Sequence, residues 1–156
     1  MNEPATIIAD LMLAEAGVHE IPGPKAAGRI LEYDQHTTLK ATSDEVAWCS
    51  AALCFVVDKA RETHPEIDPS TRSAAASSWA SWGLEVPDGG QDKGDVVVFN
   101  HHVAVYLKED DEHPGLIQIV GGNQGDLGGG PDAVNVKWRR LDGVLHFRRP
   151  KHYEEA

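Results

Sequence analysis

The hydrophobic pattern of this chain changes period near its middle, and that change constrains the fold more than any other feature. Through residue 82 the apolar residues recur at helical spacing, and from residue 95 onward they alternate. Thr6 to Ala16 puts Ile7, Ile8, Leu11 and Ala14 or Glu15 on one stripe and stops at Gly17. Ile21-Pro22-Gly23-Pro24 breaks the chain, and Ala26 to His36, with Ile30, Leu31 and Tyr33, predicts a short second helix. Ala47 to Glu62 is the clearest helix, with Cys49, Ala52 or Leu53, Val56 and Ala60 along one face. Ser73 to Trp82 predicts a fourth, closed by Gly83.

Period two then takes over in Asp95–Phe99, His102–Leu107, Leu116–Val120, Ala133–Trp138 and Val144–Arg148. Turn clusters separate these runs, notably His113-Pro114-Gly115 and Gly128-Gly129-Gly130-Pro131. Helices first and a meander of strands afterwards is an α+β layout, with N-terminal helices packed on a C-terminal antiparallel sheet. Neither an internal repeat nor an interdomain linker interrupts it, so residues 1–150 read as one domain and 151–156 as a fraying tail.

The chain has 156 residues, 25 acidic against 14 basic, for a formal charge of -11. That balance argues against nucleic acid and anionic membranes as partners, because both are bound through Lys and Arg. No run approaches the roughly 20 apolar residues of a membrane span. Met1-Asn2-Glu3-Pro4 lacks the basic start of a secretory signal, so synthesis in the cytoplasm is expected, with something else delivering the protein to any outside target.

Cys49 and Cys54 are five residues apart. On a helix that is a rise of about 7.5 Å, beyond disulfide reach, and the spacing suits neither a redox pair nor a zinc knuckle. Cys54 reads as core filling. Cys49 has a use if it starts its helix, where free backbone N–H groups and the macrodipole favour a thiolate and offer an oxyanion site. A competing signal is Thr42-Ser43-Asp44-Glu45, a capping box that would start the helix earlier and bury Cys49 in its second turn.

A thiol nucleophile needs an imidazole and a polar group to fix that imidazole's tautomer. In His102-Val103-Ala104-Val105-Tyr106 alternation sends Val103, Val105 and Leu107 to one face, and His102, Ala104 and Tyr106 to the other. His101 points the opposite way from His102. If residues 109–115 join two antiparallel strands, pairing Leu107 with Gln118 sets His102 opposite Asn123, while a slip of one residue favours Gln124 or Gly122.

The order Cys, His, Asn on helix, strand and strand carries a family resemblance. Glu45-Val46-Ala47-Trp48-Cys49-Ser50-Ala51, Gly94-Asp95-Val96-Val97-Val98-Phe99, His102-Val103-Ala104-Val105-Tyr106 and Gly121-Gly122-Asn123-Gln124 resemble the CHAP and NlpC/P60 superfamily. The look is that of small CHAP-like proteins of phage lysins, which share the Glu20-Ile21-Pro22-Gly23 turn, Arg29-Ile30-Leu31-Glu32-Tyr33 and Phe147-Arg148-Arg149-Pro150.

The resemblance implies a papain-like α+β fold and hydrolysis of a peptidoglycan amide bond, in a stem peptide, a cross-bridge, or at N-acetylmuramoyl-L-alanine. By position it makes Cys49 the nucleophile, His102 the base and Asn123 the orienter. Trp48, Ser50, Glu45, His101 and Gln124, which flank these, are expected to contact substrate. His101 is a departure, since relatives usually carry glycine there.

The implied protein is a monomeric endolysin or interbacterial lytic effector, released by a holin or a secretion system. Its partner is wall peptide, without membrane insertion. A dead-site wall-peptide-binding module and an acyltransferase or transpeptidase on the same fold are the alternatives.

No cofactor is expected. Some CHAP domains depend on calcium, which raises the acidic run Glu109-Asp110-Asp111-Glu112, yet that run lacks the ligand alternation of an EF-hand loop and reads as a solvated hairpin tip. Asp44 and Glu45 are placed to attract an amine-bearing substrate. Trp79 and Trp82 are spaced to stack on sugar or to pack inside. His19, His36, His64, His113, His146 and His152 show no metal-ligand spacing.

Overall fold

Thirteen residues of the first half, Cys49–Arg61, form the central helix α3, flanked by α1 (Glu3–Ala14) and α2 (Gly28–Asp34). The second half forms β1 (Leu84–Glu85), β2 (Val96–Phe99), β3 (His102–Glu109), β4 (Leu116–Gln124), β5 (Ala133–Arg140) and β6 (Val144–Arg149). This computed structural model describes residues 3–19, 28–37, 48–87, 89–124 and 133–151, except the side chains of 3–5, 123 and 124. The strands pair antiparallel in one sheet, in the order β1-β6-β2-β3-β4-β5. The α+β layout expected from the periodicity is the one observed.

Each face of the sheet has its own apolar layer, because the strands alternate two sets of hydrophobic residues. Val96, Val98, Val103, Val105, Val120 and Val134 pack against α3 and α1, where Ile8, Met12, Leu53 and Val56 are fully buried. Val97, Phe99, Ala104, Tyr106, Ile119 and Phe147 form the opposite layer. That second layer needs no helices, because the sheet curls over it. The Arg139 guanidinium of β5 lies 4.4 Å from the Phe99 ring of β2, although β3 and β4 separate the two strands. Three strand spacings in a flat sheet would span about 14 Å.

Two expectations are corrected. Ser73 to Trp82 is not an α-helix; Ala76–Ser81 is a 3₁₀ helix preceded by irregular chain. Hydroxyls there compete for the backbone: Thr71 Oγ1 accepts from Ser73 N at 3.3 Å, and Ser73 Oγ accepts from Ala75 N at 3.1 Å. The second correction concerns Leu107. Val105 pairs with Val120 and Tyr106 with Ile119, the expected register, but Lys108 then pairs with Gln118. Leu107 is the extra residue of a β-bulge rather than the partner of Gln118.

Candidate active site

Helix α3 begins at Cys49, so the later of the two possible starts is the observed one. Trp48 occupies the N-cap with φ -128° and makes no side-chain capping bond, and Ala52 N closes the first helical turn on the Trp48 carbonyl at 3.0 Å. The first-turn N–H groups therefore keep the positive end of the helix beside the thiol. The capping-box residues 42–45 lie outside the described residues, and Glu45 with them.

Cys49 is 6% exposed. Burial pushes its thiol above the ordinary cysteine range, while the backbone N–H groups of Val103, Ser50 and Cys49 itself pull the other way. The Val103 contact sets the sulfur against the residue that follows His102. Cys49 also lines a cleft of about 440 Å³ together with Ala76, Phe99, His101, Leu145 and His146.

His102 stands where alternation put it, on the face of Phe99, Ala104 and Tyr106 at the start of β3. Its ring is stacked on Phe99, with centroids 6.0 Å apart and planes at 28°. His102 thus lies on the sheet face away from α3, the helix that carries the thiol, and is not among the described residues lining the Cys49 cleft. The β3–β4 pairing runs from Glu109–Ile117 to Val105–Val120, and a Cβ on Gly121 would meet the Ala104 Cβ at 2.9 Å; β4 is irregular against β5 between Gly121 and Gln124, so Asn123 opposite His102 stays an expectation. The Asn123 and Gln124 side chains lie outside the described ones.

His101 does reach the cleft, from a two-residue hairpin loop where its φ is +64°. Glycine or asparagine ordinarily occupies that conformation, and here the position carries an imidazole instead.

Trp48 and Ser50, expected to contact substrate, are both fully buried. The Trp48 ring lies 5.9 Å from Tyr33 and closes the core beneath the site. Ser50 Oγ donates to the Ser73 carbonyl at 2.6 Å and accepts from Trp79 Nε1 at 2.8 Å, tying α3 to the 3₁₀ helix that walls the cleft. Trp79 and Trp82 are buried in edge contact, 5.2 Å between centroids, so they pack and do not present a sugar platform.

No family model, curated protein or solved structure matches the chain.

Sequence reasoning missed His146. Its Nδ1 lies 3.3 Å from Glu85 Oε2, and Glu85 Oε1 accepts from Arg148 Nη1 at 2.9 Å. Arg148 is itself fixed by the Trp82 and Gly83 carbonyls at 2.6 and 3.1 Å. Glu85 and His146 are 61 residues apart, and no spacing rule links them. The only sequence signal is alternation, which sets His146 on the face opposite Phe147.

The acidic run at the β3–β4 turn is occupied with its own loop. Glu109 Oε2 accepts from Gly115 N at 3.1 Å, and Asp110 Oδ1 accepts from Glu112 N at 3.0 Å. Among the described residues no group of three or more His, Cys, Asp or Glu side chains is arranged to hold a metal ion. Nor is any described helix long and apolar enough to cross a membrane.

Proposed function

We propose that the chain is a cysteine-dependent amidohydrolase of papain-like fold that cleaves an amide bond of bacterial wall peptide. One observation carries the reading: a cysteine opens the central helix beside a cleft, with its sulfur on the backbone of the residue next to His102. A thiol at an uncapped helix start on the wall of a cleft is placed as thioester chemistry needs its nucleophile. The sequence resemblance supplies the substrate class.

In this reading His102, whose ring stacks on the Phe99 that also lines the Cys49 cleft, comes round the start of β3 to take the Cys49 proton, and Asn123 holds the imidazole. The thiolate adds to the amide carbonyl, and the Cys49 N–H with its first-turn neighbours stabilises the oxyanion. His102 returns the proton to the departing amine, leaving a thioester. Water, deprotonated by the same imidazole, hydrolyses the thioester and restores the thiol.

Turbidity of purified peptidoglycan tests this, with mass spectrometry of released fragments naming the bond. Clearing by wild type and none by Cys49→Ala is the expected result. Absence of clearing on several wall chemotypes, with calcium present, would overturn it.

One observation favours a second reading, a wall-peptide-binding module without catalysis: burial pushes the Cys49 thiol above the ordinary cysteine range, which favours its protonated form. Sedimentation of wild type with intact sacculi, undiminished in Cys49→Ala and without fragment release, is its expected signature.

A further inference from the structure

The Cys49 cleft is flanked by two imidazoles. His101 enters from the β2–β3 loop and His146 from β6, and apart from the thiol they are the only ionisable side chains on its described walls. The remaining lining is small or apolar, chiefly alanine, with Ser77 and Asn100 adding neutral polar groups.

His146 is held deliberately. Val98 pairs with both Val103 and His146, which puts His146 on the sheet face that α3 covers. From β3 to β6 is two strand spacings, about 10 Å, so His146 faces the thiol across the cleft rather than touching it. Glu85 Oε2 holds its Nδ1 at 3.3 Å, and His146 lines the cleft. The register shift between Val98 and Phe99 makes Leu145 a bulge, 58% exposed, beside the same opening.

We propose that this cleft selects amide substrates bearing a free carboxylate near the scissile bond, which His101 and His146 read as a pair of imidazolium donors. The inference rests on Cys49 being the reactive group and adds the substrate chemistry. A carboxylate between two N–H⁺ donors makes charge-assisted hydrogen bonds that a carboxamide cannot match.

The charged groups around the pair are few. Glu85 of β1 and Arg148 of β6 stand behind His146, and Asp142 shares a neighbouring cleft with it. His102 adjoins His101 in the chain. The protonated imidazole is the charge-assisted donor, so selection strengthens as pH falls.

The test compares two reagents of the same shape, iodoacetate and iodoacetamide, in alkylation of Cys49 in the intact protein. Peptide mapping by mass spectrometry separates Cys49 from the buried Cys54. The ratio of the two rates cancels the thiolate fraction and reports the charge of the cleft, with mercaptoethanol as reference.

We expect the wild-type ratio at pH 6 to exceed the reference about fivefold and to approach it by pH 8.5. His101→Gly suits the backbone at that position, and His146→Gln keeps a hydrogen-bonding group toward Glu85. The double variant should track the reference at both pH values. A wild-type ratio equal to the reference at both pH values, or a pH-dependent ratio that survives in the double variant, would overturn the proposal.

Peptidoglycan clearing with a flat ratio removes the carboxylate subsite and keeps the hydrolase. A pH-dependent ratio without clearing keeps the subsite and removes the wall as substrate. If neither reagent modifies Cys49, both readings fall.

Discussion

Cys49 sits between two opposed physical effects, and their balance decides how it behaves without substrate. Desolvation raises the thiol pKa, and three backbone N–H groups lower it by less. The sign follows directly: a raised pKa means a smaller thiolate fraction at neutral pH than free cysteine has. The Cys49 alkylation rate with neutral iodoacetamide should therefore keep rising above pH 9, where free cysteine is already levelling off. A plateau below pH 8 would mean that substrate-free protein already holds a thiolate. At this scale the sequence was legible for Cys49 at the helix start and for the orientation of His102. It was illegible for Trp48 and Ser50: neighbours of a reactive residue along a helix point in different directions, and both of these point inward.

Among the elements, β4 and α3 approach unusually closely. A Cβ on Gly122 would lie 2.6 Å from Trp48 Cζ3 and 2.9 Å from the Ala52 Cβ, so the sheet meets the first turn of α3 with no side chain between them. The paired glycines Gly121 and Gly122 thereby receive a packing reason: one faces Ala104, the other the root of α3. Gly122→Ala should destabilise the fold by about 1–3 kcal/mol, the range for overpacking a closed core. Because the displaced group is the N-cap of α3, Cys49 reactivity should change with it. Denaturant unfolding combined with the alkylation rate checks this, and a loss of stability with unchanged reactivity would mean that Trp48 yields without moving Cys49. Five strands were readable from alternation, to within a few residues at their ends. The two-residue β1 was not, because two residues cannot show a period, yet it supplies Glu85. The bulges at Leu107 and Leu145 were equally hidden, since each depends on what the partner strand does.

For the whole molecule, charge is the long-range property that matters to the proposed target. With 25 acidic and 14 basic residues the protein carries a formal -11, and anionic wall polymers repel it. Clearing of an anionic wall should therefore quicken as salt rises from about 20 to about 200 mM, as the Debye length shrinks from about 20 Å to under 10 Å. Rates measured across that series check it, and slowing with salt would reveal a local basic docking face that outweighs the net charge. The α+β layout was legible at this scale from the change of period alone. The curl that brings Arg139 onto Phe99 was not, because curvature arises from the sum of many strand twists.

Strand β6 is the last of the described strands in the chain but takes second place in the sheet, between β1 and β2. It supplies His146 and the bulge at Leu145, and it anchors Arg149 on the buried Asp95 carboxylate at 2.7 and 2.8 Å. Synthesis runs from one end, so a ribosome can have released α1, α3 and β2 to β5 while a slot in the sheet still stands open. One wall of the Cys49 cleft arrives only when that slot is filled. Timing is thus written into the topology: a nascent chain carries the thiol long before it carries the enclosure that would let the thiol choose a substrate.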